Sequence, residues 1–146
     1  EAGFKIIYLG FESNAYEWQK KTGGKVYSHE LGIAIDNLVR AGADINNIHA
    51  YLIMAHPQSE LQNIDDSMRF ASSLGIRLML SEFSPIPGTP DGELCRQWID
   101  LDEPLYHNKT AFPILSLGAD EVNRIKNLCH ELNAGRTLET PMTVSG

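Results

Sequence analysis

Three places along the chain put a reactive polar side chain where an apolar run stops. Glu12 and Ser13 follow Phe4 to Phe11, His56 follows Ile48 to Ala55, and Glu82 and Ser84 close Ile76 to Phe83. Carboxylates, imidazoles and hydroxyls move protons and hold polar ligands, so the recurrence marks a candidate site. Glu12 and Glu82 form a candidate acid–base pair if the fold brings them together. His49, His56, His107 and His130, with the acids, could bind a metal, but none shows the i, i+4 spacing of a zinc helix, and no metal site is expected. His49 falls at the start of a run, away from the other polar ends. Gly23-Gly24-Lys25 faintly resembles a phosphate loop. The Walker pattern is not there, and a helix stop followed by a solvated lysine explains the residues equally well. No Ser–His–Asp or Cys–His order follows from position alone.

The elements that must position these residues alternate. Phe4 to Phe11, Ile48 to Ala55 and Ile76 to Phe83 are short, apolar and rich in β-branched and aromatic residues, the pattern of buried strands. Between them, Ala15 to Lys21 suggests a short helix. Leu31, Ile35, Leu38 and Val39 recur at helical spacing after a Ser28 cap and before Gly42. Leu61, Ile64, Met68 and Ala71 repeat the pattern up to Leu74-Gly75. Pro85, Pro87, Gly88 and Pro90 make an irregular loop, Gly92 to Trp98 a short helix, and Asp100 to Pro113 a loop. Val122, Ile125, Cys129 and Leu132 stripe the clearest helix, from Ala119 to Leu132, which Asn133 and Gly135 should stop. A β-α-β-α-β-α order predicts parallel strands joined by right-handed crossovers, with working residues at their carboxyl ends.

Composition narrows the function classes. A net charge of −7 argues against a nucleic-acid groove, which needs a basic field. No apolar run approaches a membrane span, and no signal-peptide pattern opens the chain. Two cysteines without a C-x-x-C fit reduced, buried thiols of a cytoplasmic protein better than a zinc or cluster site. Phe4 to Phe11 is strand-like from the outset, so the chain is expected to begin inside a domain.

Several segments together resemble one family. Gly10 to Ser13 (GFES), Thr22 to Lys25 (TGGK), Leu38 to Ala43 (LVRAGA), Tyr51 to Glu60 (YLIMAHPQSE) and Phe83 to Pro90 (FSPIPGTP) are similar to the second half of a radical S-adenosylmethionine (SAM) barrel. The branch it most resembles often carries an N-terminal cobalamin-binding domain. The likeness runs to about Asn108, and the P-x-P-G-T segment is its most specific piece. It implies an α/β fold, a partial, half TIM-like (β/α) barrel over residues 1–135 with a tail over 136–146. The three strands would be the fourth to sixth of six. It places Glu12, Ser13, Lys25, Tyr51 and His56 toward SAM, with Lys25 toward the methionine carboxylate. Glu82, Ser84, Pro85, Pro87, Gly88 and Thr89 would lie on the substrate side. The usual fifth-strand G-x-P-G-E-T stands here as Ala55-His56-Pro57-Gln58-Ser59-Glu60, with both glycines replaced.

The family's C-x-x-x-C-x-x-C is not in this chain. The resemblance therefore implies a [4Fe–4S] cluster and SAM in a longer parent, leaves cobalamin open as a further cofactor there, and makes this chain alone inactive. Its partner would be the missing N-terminal half, or a second copy through an exposed edge. The rival expectation is a stand-alone α/β module that binds a ligand or partner without redox chemistry.

Overall fold

Strand β1 (Ile7–Glu12) pairs in parallel with β2 (Ile48–Met54), and β2 with β3 (Arg77–Glu82), in the order β1-β2-β3. The computed structural model describes residues 3–13, 19–20 and 26–136. The expected helix over 15–21 and Lys25 therefore lie largely or wholly outside the described residues, as does the tail from 137. Helices α1 (Ser28–Arg40) and α2 (Leu61–Ser73) make the two crossovers. After β3 come α3 (Pro90–Leu94), α4 (Ala111–Leu117) and α5 (Ala119–Gly135). Among the described residues no helix is long and apolar enough to cross a membrane.

The packing follows from strand alternation. Ile48, Ala50, Leu52 and Met54 of β2 are fully buried, and with Phe11 and Leu78 they meet Leu31 and Ile35 of α1, Ile64, Met68 and Ala71 of α2, and Val122, Ile125 and Cys129 of α5. All three long helices thus share one core on one face of the sheet. Strand order follows chain order, so successive crossovers of one hand return to the same side. The intervening residues Tyr8, His49, Tyr51, Ile53, Met79 and Ser81 point to the other face, which no described element covers. Tyr8 is 50% exposed and Tyr51 38%. The strands are therefore half-buried, not buried on both faces.

Local signals account for the helix boundaries. The cap of α1 falls at Tyr27, not Ser28, because Glu30 then stands at the third helical position and its Oε2 accepts the Tyr27 amide at 2.8 Å. At the other end Gly42 (φ +93°) and Ala43 donate to Val39 and Leu38 carbonyls, the paired bonds of a Schellman stop. Helix α4 occupies part of the expected loop: Pro113 sits in its first turn, where a missing amide costs nothing. Asn133 does not stop α5. It lies inside the helix and bonds the outer edge of β3, its Oδ1 accepting from Leu78 N at 2.9 Å and its Nδ2 donating to Leu78 O at 3.0 Å.

Candidate functional site

The carboxyl ends of the three strands form a rim, and backbone strain collects there. The non-glycine residues with positive φ among those described are Glu12 (+65°) at the end of β1 and Ala55 (+64°) just past β2. A left-handed backbone costs an L-residue about 1–2 kcal/mol, and such strain concentrates at functional sites. At Glu12 it accompanies a register shift that lets Phe11 turn inward while Glu12 pairs with Leu52.

His56 follows Ala55 and is 8% exposed. Its Nδ1 accepts the Gln58 amide at 3.2 Å, and its Nε2 lies 3.4 Å from Asp91 Oδ2. The imidazole is thus held between its own turn and the first turn of α3. Its ring meets Phe83 edge-on at 4.7 Å, and Phe83 continues to Phe112 and Trp98. This aromatic chain belongs to a second buried cluster, Cys95, Ile99, Leu101 and Phe112, which packs on Ala55 and Phe83. The segment after β3 therefore caps the rim with a small core of its own.

The P-I-P-G-T turn is tightly built. Thr89 Oγ1 accepts the Gly92 amide at 3.1 Å and donates to Ile86 O at 2.7 Å, while Glu93 Oε1 accepts the Gly88 amide at 2.9 Å. Gly92 is required, since a Cβ there would lie 1.9 Å from Ile86 O. Pro85 is fully buried, Pro87 and Gly88 are exposed, and Ser84 Oγ donates to His107 O at 2.8 Å.

The other predicted residues diverge. Ser13 is buried, its Oγ 3.3 Å from Ser67 Oγ of α2 and its carbonyl accepting from Gln19. Glu82 points to the helix layer, where Lys126 Nζ lies 2.8 Å from its Oε1. Burial works to raise the Glu82 carboxyl, but the hydrogen bond and charge of Lys126, with an added backbone bond and more distant Lys109, hold it below the ordinary range. β2 separates it from Glu12, so the two do not stand as neighbours. Tyr51 lies on the bare face, its ring 5.4 Å from Tyr8. His56 thus meets the segment after β3 through Asp91 and Phe83, Glu12 ends β1 opposite Leu52, and Ser13 and Glu82 face the helices.

Sequence reasoning missed Asp91, Lys126 and Asn133, whose partners are remote in the chain. It also missed the bare-face residues Tyr8 and Arg77, for which alternation within the strands was an available signal. Two concavities of about 430 and 520 Å³ lie at the opposite end, around Phe4, Ile7, Gly42 and Ala43.

Both cysteine thiols are free and buried. Burial, with Asp91 nearby, pushes Cys95 up to about 11, and burial also raises Cys129. Both are protonated at neutral pH. Among the described residues no three His, Cys, Asp or Glu side chains are grouped to hold a metal. Neither a family model nor a curated protein matches the chain.

Proposed function

We propose that this chain is the C-terminal, three-strand sector of a radical SAM barrel, supplying the wall of the SAM and substrate cavity while the cluster is held by polypeptide outside it. The observation that carries this reading is the one-sided sheet. Parallel sheets are normally covered on both faces, and a barrel achieves this by wrapping the second face around its own interior. A singly wound sheet with helices on one face and a bare Tyr8–Tyr51–Met79 face on the other has the form of such a sector. Ala55 adds support. It stands where the resemblance has the first glycine of G-x-P-G-E-T, and it holds the positive φ that glycine adopts most easily.

In this reading Glu12, Tyr51 and His56 face SAM, and the Pro85–Thr89 turn shapes the substrate side. His56 is fixed in orientation by Gln58 and Asp91. The parent's activity would be reductive cleavage of SAM to a 5′-deoxyadenosyl radical, and this chain alone would have none. The test is anaerobic reconstitution of the full-length parent with iron, sulfide and SAM, followed by assay for 5′-deoxyadenosine. Its formation supports the reading. Its absence with a cluster assembled, or a parent without C-x-x-x-C-x-x-C, removes it.

A further inference from the structure

The amino-terminal end of the bare face carries a line of three polar residues. Cross-strand register sets Tyr8 beside His49 and His49 beside Arg77. Arg77 is exposed, and among the described residues no carboxylate lies within ion-pairing distance of its guanidinium. By contrast, Arg96 and Arg124 are each clasped by two acids. His49 Nδ1 is buried and has no hydrogen-bond partner among the described residues. An orphaned buried nitrogen is uncommon and calls for an explanation. The Tyr8 ring stands edge-on to His49 at 5.1 Å. One step along the strands, Gly10 leaves space where its neighbours Tyr51 and Met79 carry side chains: a Cβ there would meet nothing within 4 Å.

We propose that the Tyr8–His49–Arg77 line is a binding subsite for the oxyanion of a small ligand, a carboxylate or a phosphate. Arg77 supplies the charge and a two-pronged donor, the role guanidinium fills best. His49 stands beside it, its unpartnered Nδ1 closed to solvent in this conformation and reached by a ligand only with a shift of the rings around it. Burial and the guanidiniums of Arg77 and Arg136 hold this imidazole below its ordinary value, so at neutral pH it is uncharged and carries one N–H. The groups bearing on it are Tyr8 from β1, Arg77 from β3 and Arg136 from the end of α5, with Asp44 acting on Arg136. Two guanidiniums without a neutralising acid at Arg77 make a local positive field in a molecule of net charge −7. The ligand's body would lie over Gly10 against Tyr51, Met79 and Ile53. The subsite sits at the end of the sheet opposite the rim, and it does not rest on the radical SAM reading.

The test uses this chain, followed by NMR as inorganic phosphate, benzoate or acetate is added. Shifts centred on Tyr8, His49 and Arg77 are expected. Arg77→Met should weaken binding about tenfold or more, while Arg69→Met, on the exposed side of α2, should leave it unchanged. The His49 pKa should rise when the site is filled, because the anion offsets the two arginines, and a purely structural histidine would not respond. Tighter binding of benzoate than acetate is expected from the apolar rows beside Gly10. Arg77→Met and Arg77→Lys are surface changes whose folding is checked on the same spectra. Ligand shifts unaltered in a folded Arg77→Met, or no response of these residues to any of the three anions, would overturn the proposal.

Discussion

At the scale of single residues, Ala55 holds a backbone conformation that its side chain opposes, and its neighbours hold it there. The methyl packs against the cluster built on Phe112, and His56 is tied on both nitrogens. Ala55→Gly should relieve a left-handed cost of about 1 kcal/mol, offset in part by greater freedom of the unfolded chain. Ala55→Val should lose about 2 kcal/mol or more, since a branched side chain at positive φ is a true outlier. Urea midpoints of the two variants check this: Val at or above wild-type stability would contradict the strain. The sequence shows an alanine at this position, and only the dihedral reveals a conformation that glycine adopts most easily. His56 could be read from its place after an apolar run. Its partner Asp91 could not, because the pairing depends on how the Pro85–Thr89 turn folds back.

At the scale of elements, α5 does the work of a neighbouring strand. The Asn133 amide offers β3 one donor and one acceptor, as a peptide group would, and Arg136 Nε adds a bond to Gly75 O at 3.1 Å. Asn133→Ala would orphan the Leu78 amide, leave its carbonyl only the long Cys129 Sγ contact, and should cost about 1–3 kcal/mol by urea unfolding. The same helix sets an acid dependence through Lys126. The Glu82 carboxyl is depressed in the folded chain and ordinary in the unfolded one. Its stabilisation is therefore full above the ordinary carboxylate value and is lost as pH falls through the lower folded value. Lys126→Met should flatten the loss of stability between about pH 5 and pH 3. An unchanged acid limb would show that the pair contributes nothing. Strands, crossover helices and the long last helix were legible from periodicity alone. Helix α4 was not, because Pro113 looks like a breaker until its first-turn position is known. Asn133 looked like a stop for the same reason: residue type alone does not reveal a tertiary partner.

At the scale of the whole molecule, the two edges of the sheet are unequal. β3 is covered by α5, whereas the outer side of β1 has no strand or helix against it among the described residues, and Phe4, Ile6 and Tyr8 are exposed along it. Natural edges are usually protected by charge, proline or a bulge, and among the described residues this one carries the shift near Glu12 and no proline. The chain alone should self-associate through β1 as its concentration rises, seen by light scattering after size-exclusion chromatography. Tyr8→Lys should return it to monomer. A wild-type chain that stays monomeric at high concentration would refute this. The parallel order and the shared rim were legible in the alternation of elements. Which face lay bare was missed because the apolar strand runs suggested burial on both sides, although the alternation of His49 and Tyr51 with Ile48, Ala50 and Leu52 was there to be read.

The Asn133 clasp gives the sheet a direction of growth. New strands can zip on at one flank only, since the other is already sealed by a side chain imitating a backbone. Two copies concatenated head to tail would present a sealed flank to an open one and could not merge into a continuous sheet unless that amide withdrew. Two open flanks meeting across a twofold axis face no such block, and they could join only with their strands running in opposite directions.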